Sequence, residues 1–216
     1  MVTYPGMSLE LTKRTLVFYR RHGLFASLRR ALESIRASLS SRRAVLFYCD
    51  LQDSIENFGQ LPDGLSVERK ACAADISEAD MQEVLDFWNR DLKAKQIRDR
   101  FQKGAIAWFL HKNSQLAGYG WTLTGSTMER HYFSLGENDV HLFDFVVFPR
   151  FRGQGVNPVL VGRILAVMAA EGHARAFIES AIRNKSQLRS LSKTPFRRYA
   201  TATKVNLLGR SLVIWH

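Results

Sequence analysis

From Val140 to Gly155 the chain reads V-H-L-F-D-F-V-V-F-P-R-F-R-G-Q-G and runs on into V-N-P-V-L-V-G-R-I-L-A-V-M-A-A-E. That order predicts a strand, a basic glycine turn and a helix. Leu142 to Phe148 is rich in β-branched and aromatic residues, and Pro149 ends the ladder because it has no N–H to donate. Gly153 and Gly155 let the backbone turn tightly. The amides of Gly153, Gln154, Gly155 and Val156 would then face outward at a helix start, where unpaired N–H groups and the positive end of the helix dipole favour phosphate. Arg150 and Arg152 add charge. The sequence thus predicts an anion-binding site before any other feature is considered.

The chain has 216 residues, 46% of them hydrophobic, which suits one moderate domain with a real core or one domain plus an appendage. No stretch approaches the roughly 18 apolar residues needed to span a bilayer, and the start of the chain lacks the order of a signal peptide. The expectation is a cytoplasmic protein, peripheral at most to the inner membrane surface. Only Cys49 and Cys72 are present and neither sits in a C-x-x-C pattern, so disulfides and metal sites are not expected. The net charge of +11 is unevenly placed: residues 1–45 carry +7, residues 183–216 carry +8, and the stretch between carries −4. Basic ends around a mildly acidic body attract polyanions such as anionic lipid, acyl carrier protein, nucleic acid or a phosphorylated cofactor.

Apolar residues recur every three or four positions from Leu16 through Leu24, Leu28, Leu32, Ile35 and Leu39, with Arg29, Arg30 and Arg36 between them. This predicts two basic amphipathic helices broken at Gly23, an appendage over 1–45 able to dock on the main domain, a membrane surface or a partner. A strand and a linker with Pro62-Asp63-Gly64 follow over 46–64. The main domain is then expected over 65–216, with two charged helices, a hairpin around Lys112-Asn113-Ser114, a polar insertion over 125–139, the strand–turn–helix unit, and a closing strand, helix and strands.

This order resembles the GNAT N-acetyltransferase superfamily, and the likeness rests on two stretches. Arg150-Phe151-Arg152-Gly153-Gln154-Gly155 matches the family's R/Q-x-x-G-x-G/A pattern for the pyrophosphate of coenzyme A. Asn184, with Lys193-Thr194-Pro195-Phe196 beginning nine residues later, looks like its N-x(8)-K-x-G-F segment. The resemblance implies an α/β (α+β) fold with a mixed, mostly antiparallel sheet flanked by helices. It also implies acyl transfer, in first place acetyl transfer, from acetyl-CoA to a primary amine. Backbone groups of Phe145, Val146 and Val147 would hold the acyl-pantetheine arm, Arg152 to Val156 would cradle the pyrophosphate, and Asn184 would touch the pantetheine or its thiol. An extended arm can add to a sheet edge as another strand would. Two departures stand out. Leu191 occupies the place where relatives carry a tyrosine proposed to protonate the leaving thiolate, and Pro195 replaces a glycine. Tyr199, Ser192 or water would have to supply that proton.

Amine acylation needs a neutral nucleophile and hence a base within reach. Asp144, mid-strand in L-F-D-F-V-V, is the first choice, with Asp139, Glu179 and His141 behind it. Trp108, Tyr119 and Trp121 of the hairpin are expected, with the 125–139 insertion, to shape the acceptor pocket. The acceptor would be a small or lipid-linked amine, an acidic one such as a nucleotide sugar being favoured by the basic appendage, and a homodimer is the candidate assembly. A dinucleotide fold is disfavoured by Pro158 at the third glycine position and by the arginines of the turn, and a P-loop by the lack of G-K-[ST]. A basic nucleic-acid module finds no helix-turn-helix, RNP or zinc pattern. A CoA-binding relative without catalysis stays open because of Leu191.

Overall fold

The computed structural model describes residues 42–52, 58–129, 131–207 and 210–216. The amphipathic helices expected in the appendage lie outside the described residues. In chain order the elements are β1 (Arg42–Asp50), β2 (Leu65–Lys70), α1 (Glu78–Asp86), α2 (Arg90–Gln102), β3 (Ile106–Lys112), β4 (Gln115–Thr124), β5 (Asp139–Val147), α3 (Val156–Ala170), β6 (Arg175–Ala181), α4 (Lys185–Leu191), β7 (Arg197–Leu207) and β8 (Arg210–Trp215). The strands form one mixed, mostly antiparallel sheet in the order β2-β3-β4-β5-β6-β1-β7-β8. Arg43–Thr203 with Trp215–His216 forms one compact unit, and Lys204–Ile214 falls to a second.

One boundary differs from the sequence reading. The strand assigned there to a pre-domain stretch is an internal strand of the sheet: β1 pairs antiparallel with β6 from Ala44–Ala181 to Asp50–Arg175. Its buried run of Ala44, Val45, Leu46 and Phe47 explains why. A strand covered on both faces reads as a continuous apolar stretch, and the Pro-Asp-Gly turn that follows it is a loop within the domain.

Helix starts follow from local chemistry. Ser77 accepts the Asp80 N–H at 3.1 Å to begin α1, and Asn89 accepts the Leu92 N–H at 3.1 Å to begin α2. The helices cover opposite faces of the sheet. Trp121 and Thr122 are neighbours on β4 and so point to opposite sides. Trp121 meets Phe101 of α2, ring centroids 5.0 Å apart. Thr122 accepts a hydrogen bond at 2.9 Å from Trp108, whose ring lies under Arg69, and Arg69 pairs with Glu171 just after α3. α3 itself is apolar on most sides; Leu160, Val161, Ile164 and Leu165 are fully buried, each worth about 1.5–3 kcal/mol.

Two irregularities at the middle of the sheet position the site. Along β4 and β5 the register runs Gly118–Val147 and Tyr119–Val146, then shifts to Trp121–Phe143. Asp144 and Phe145 of β5 stand against the single Gly120 of β4 and form a bulge, with Asp144 in the left-handed region at φ 49°. On its other side β5 pairs in parallel with β6 only from Asp139–Arg175 to Leu142–Ile178. Both strands continue beyond that last rung, β5 to Val147 and β6 to Ala181, so the sheet opens into a V between them.

The close approach of β4 to β5 at the bulge depends on Gly118. A Cβ there would lie 2.6 Å from the Val146 carbonyl oxygen, a backbone atom that can yield only by moving the strand. Gly118→Ala is expected to cost about 1–3 kcal/mol, as overpacking does, because one lip of the V must move. Thermal melting would check this expectation.

Candidate active site

A cleft of about 690 Å³ lies where the V opens. Phe145, Val146 and Val147 form one wall, the turn and first residues of α3 form the floor, and α4 forms the other wall. Gly153 and Gly155 have φ of 77° and 75°, and no atom lies within 4 Å of where a Cβ on either would stand. The turn therefore has the left-handed backbone that glycine permits and a surface facing open space. Gly155 is the N-cap of α3, and the helical ladder begins with Val159 N–H to Gly155 C=O. The amides of Val156 and Asn157 in the first turn thus have no intrahelical acceptor, and Pro158 has no N–H.

Charge on the walls, like the unpaired amides, suits an anion. Arg152, Lys185, Arg189 and Lys193 line the cleft, and no carboxylate does among the described residues. Arg152 is steadied by a 3.2 Å hydrogen bond from Nε to the Val147 carbonyl. Lys185, Arg189 and Lys193 recur every fourth residue, so they share a stripe of α4 and its exit. The sequence reading missed this stripe, although its spacing was there to be seen.

The structure brings together Phe145, Val146, Val147, Arg152, Gly153, Gly155, Val156 and Asn184 around the cleft. It separates Arg150 and Gln154 from it. The Arg150 guanidinium pairs with Glu83 of α1 at 2.6 Å and lies over the Phe151 ring. Gln154 accepts from Lys112 at 2.7 Å and donates to the Arg150 carbonyl at 2.9 Å. These two side chains brace the turn against α1 and the hairpin. Asn184 lines the cleft, but its side-chain oxygen is engaged as the N-cap of α4 by the Gln187 N–H at 3.1 Å. Leu191 is fully buried, so its position carries core packing and no proton donor. Neither Tyr199 nor Ser192 lines the cleft; the Ser192 hydroxyl donates to the Arg189 carbonyl at 2.9 Å.

Trp108, Tyr119 and Trp121 do not form an acceptor pocket. They are only 2%, 1% and 1% exposed, because β3 and β4 are central strands covered on both faces. The Tyr119 hydroxyl accepts from Trp88 Nε1 at 3.0 Å, and burial followed by the nearby Asp144 charge pushes its pKa up, so it stays protonated. Trp88, from the end of α1, does line the cleft beside Phe87.

Asp144 has a different task from the base expected of it. Lys93 Nζ reaches its carboxylate at 3.0 Å and Arg100 Nη1 at 2.6 Å, both from α2. Burial pushes the Asp144 pKa up, but the Arg100 and Lys93 charges outweigh it and hold the carboxyl below the usual range. A carboxylate already held by two cations is a poor proton acceptor, and its place is to anchor the bulge to α2. Lys93 and Arg100 stand seven residues apart, two turns on one face, and no sequence signal tied them to Asp144. Asp144→Asn should lower stability by about 1–3 kcal/mol at neutral pH by leaving the cations uncompensated. The sign with pH follows from the lowered pKa. The carboxylate's contribution is present above its unfolded pKa of about 3.9 and is lost as pH falls through the folded value. The gap between wild type and D144N in melting temperature should therefore close on acidification below about pH 4.

On the same face as α2, His141 stacks on Phe143, which stacks on Trp121. His141 Nε2 lies 2.8 Å from Glu179 Oε2, and His131 Nδ1 lies 4.0 Å from the same oxygen. Burial pushes Glu179 up in pKa, but the hydrogen bond and charge of His141, then His131, bring it below the usual range. Asp139 is buried and held by Arg175 through two 2.9 Å contacts, a structural ion pair.

A bulged sheet parts beside a glycine-turned helix start, and among the described residues the walls of the cleft carry cations and no acid, an arrangement suited to an extended anion. The chain belongs to the acetyltransferase (GNAT) family, whose description matches residues 73–191. Solved structures repeat the fold. The tandem GNAT protein from the clavulanic acid biosynthesis pathway superposes with TM-score 0.55 at 14% identity over 85% of this chain and 57% of that one. A GCN5-related N-acetyltransferase from Sphaerobacter thermophilus gives 0.51 at 13% over 82% and 54%. A conserved protein of unknown function from Staphylococcus epidermidis gives 0.50 at 12% over 82% and 67%. The chain thus spans between 54% and 67% of these proteins' lengths. No curated protein matches it. Among the described residues no helix is long and apolar enough to cross a membrane.

Proposed function

We propose that the chain transfers an acetyl group from acetyl-CoA to the nitrogen of a primary amine. The observation that carries this reading is the union of the V between β5 and β6 with the α3 turn in one cleft. The diphosphate would sit at the wide end, on the amides after Gly153 with Arg152 beside them. The pantetheine arm would run along Phe145 to Val147, hydrogen-bonding as a further strand does. Lys185, Arg189 and Lys193 would attract the remaining phosphate. The acyl end would then lie toward the apex of the V, at the bulge. Attack by the neutral amine forms the C–N bond and breaks the C–S bond; the nitrogen gives one proton to solvent, and the released thiolate, with Leu191 in the donor's place, takes one from water.

Calorimetric titration tests the reading. Saturable, micromolar acetyl-CoA binding with no response to NAD supports it, and no binding of acetyl-CoA would overturn it. Leu191 favours one other reading, a protein that binds CoA without turning it over. Release of free thiol on adding amines separates the two.

A further inference from the structure

Three side chains that the cleft does not use meet on the α2 face of the sheet. His141 of β5 stands opposite Phe177 on their shared rung, and Glu179 lies two residues beyond Phe177 on β6, so strand alternation puts both on one face. His131 reaches the same point from the insertion, its ring centre 5.0 Å from that of His141. None of the three lines the cleft, and each comes from a different segment of the chain.

The distances define a small polar centre. Glu179 Oε2 is 2.8 Å from His141 Nε2 and 4.0 Å from His131 Nδ1, and the ligand atoms of the three residues all lie within 4.8 Å of one another. A hydrogen bond accounts for the first distance, but the second exceeds its reach. A tetrahedral ion with bonds of about 2.0–2.1 Å holds its ligands about 3.3–3.4 Å apart. The two measured distances straddle that edge, and rotation of the side chains closes the rest.

The donors select the ion. Two imidazoles and one carboxylate suit zinc and its late first-row neighbours, whereas magnesium and calcium prefer oxygen ligands. Phe143 stacks on His141 at 5.3 Å and Phe133 packs edge-on to His131 at 4.9 Å, an apolar shell that keeps solvent from the imidazole side. The imidazoles are 5% exposed and the Glu179 side chain 31%, so a fourth position faces solvent and suits a water. No short metal motif announces the trio in the sequence, because His141 stands 10 residues after His131 and Glu179 38 residues after His141.

We infer that His131 through Nδ1, His141 through Nε2 and Glu179 through its carboxylate bind one divalent transition-metal ion. This inference is independent of the acetyltransferase reading. Its consequence is mechanical. The last rung between β5 and β6 is Leu142–Ile178, and the ion would clip the two strands together beside it. The same ion would fasten the insertion, whose Phe133 already packs edge-on to Phe177 of β6 at 5.1 Å.

The test strips the full chain with EDTA and titrates it with zinc chloride and, separately, with magnesium chloride. One zinc per chain with micromolar or tighter affinity, and no response to magnesium, is expected. Each of His131→Gln, His141→Gln and Glu179→Gln should weaken zinc binding at least about a hundredfold, beyond the loss of about 10–100-fold that follows removal of a merely supporting group. Cys72→Ser, which removes an exposed thiol, should leave it unchanged. At a hundredfold excess over Kd, zinc should raise the melting temperature by about 5–10 °C. Zinc that binds all three variants as it binds wild type is an adventitious ion and overturns the inference. So does a wild type that takes up none, or one that holds magnesium as tightly as zinc. Should the variants not fold, ring-nitrogen NMR of labelled histidines in wild type decides. Zinc must shift His131 and His141 together, and shifts confined to other histidines overturn the inference.

Discussion

Replacing Gly153 by valine is expected to weaken acetyl-CoA binding at least a hundredfold, about 2.7 kcal/mol, while the protein stays folded. Two effects combine. At φ 77° a β-branched residue sits in a backbone region that costs about 1–2 kcal/mol, so the turn would relax away from its shape. The new side chain would also project into space that is open in the protein, with no atom within 4 Å, which is the space the turn offers to a diphosphate. Because that space is outside the core, the loss of stability should be limited to the backbone strain, a few degrees in melting temperature. Titration calorimetry beside a thermal melt would show the separation. A valine variant that binds acetyl-CoA as wild type does would remove the turn from the site.

The second large effect falls on stability. Trp121→Ala should destabilise the domain by about 3–5 kcal/mol, the range for removing a buried aromatic side chain. Trp121 is 1% exposed, packs edge-on to Phe101 of α2, stacks on Phe143 of β5, and lies under the Arg100 guanidinium at 5.0 Å. Removing it would empty the joint between α2 and the bulge and free Arg100 from its seat beside Asp144. Denaturant unfolding measures the loss. An alanine variant as stable as wild type, altered only in its KM for an amine, would restore the pocket role that the sequence suggested for this residue.

The fold was legible because its signals are local. Strand runs and the glycine turn place the described elements of the domain within a few residues of where they lie. Their order, read from the residues, is what resembles the family, together with two short stretches. Where the sequence reading failed, the deciding contacts were remote. Arg150 and Arg152 are two residues apart and chemically alike, yet one is drawn off by Glu83, 67 positions earlier, while the other stays in the cleft. Asp144 looked like a free mid-strand carboxylate because nothing in its neighbourhood names Lys93 and Arg100 as partners. The hairpin aromatics suggested a pocket because a sequence gives the period of a strand but not how many layers cover it.

Four rungs hold the meander β2-β3-β4-β5 to β6 and the strands beyond it. Such a short seam makes the two halves of the sheet weakly cooperative along that line, so it is where sub-global opening should begin when the protein is heated. A carrier laid between the lips would stitch the halves together, and occupancy would raise resistance to unfolding by mass action. Catalytic competence and thermal endurance would then be set at the same hinge line.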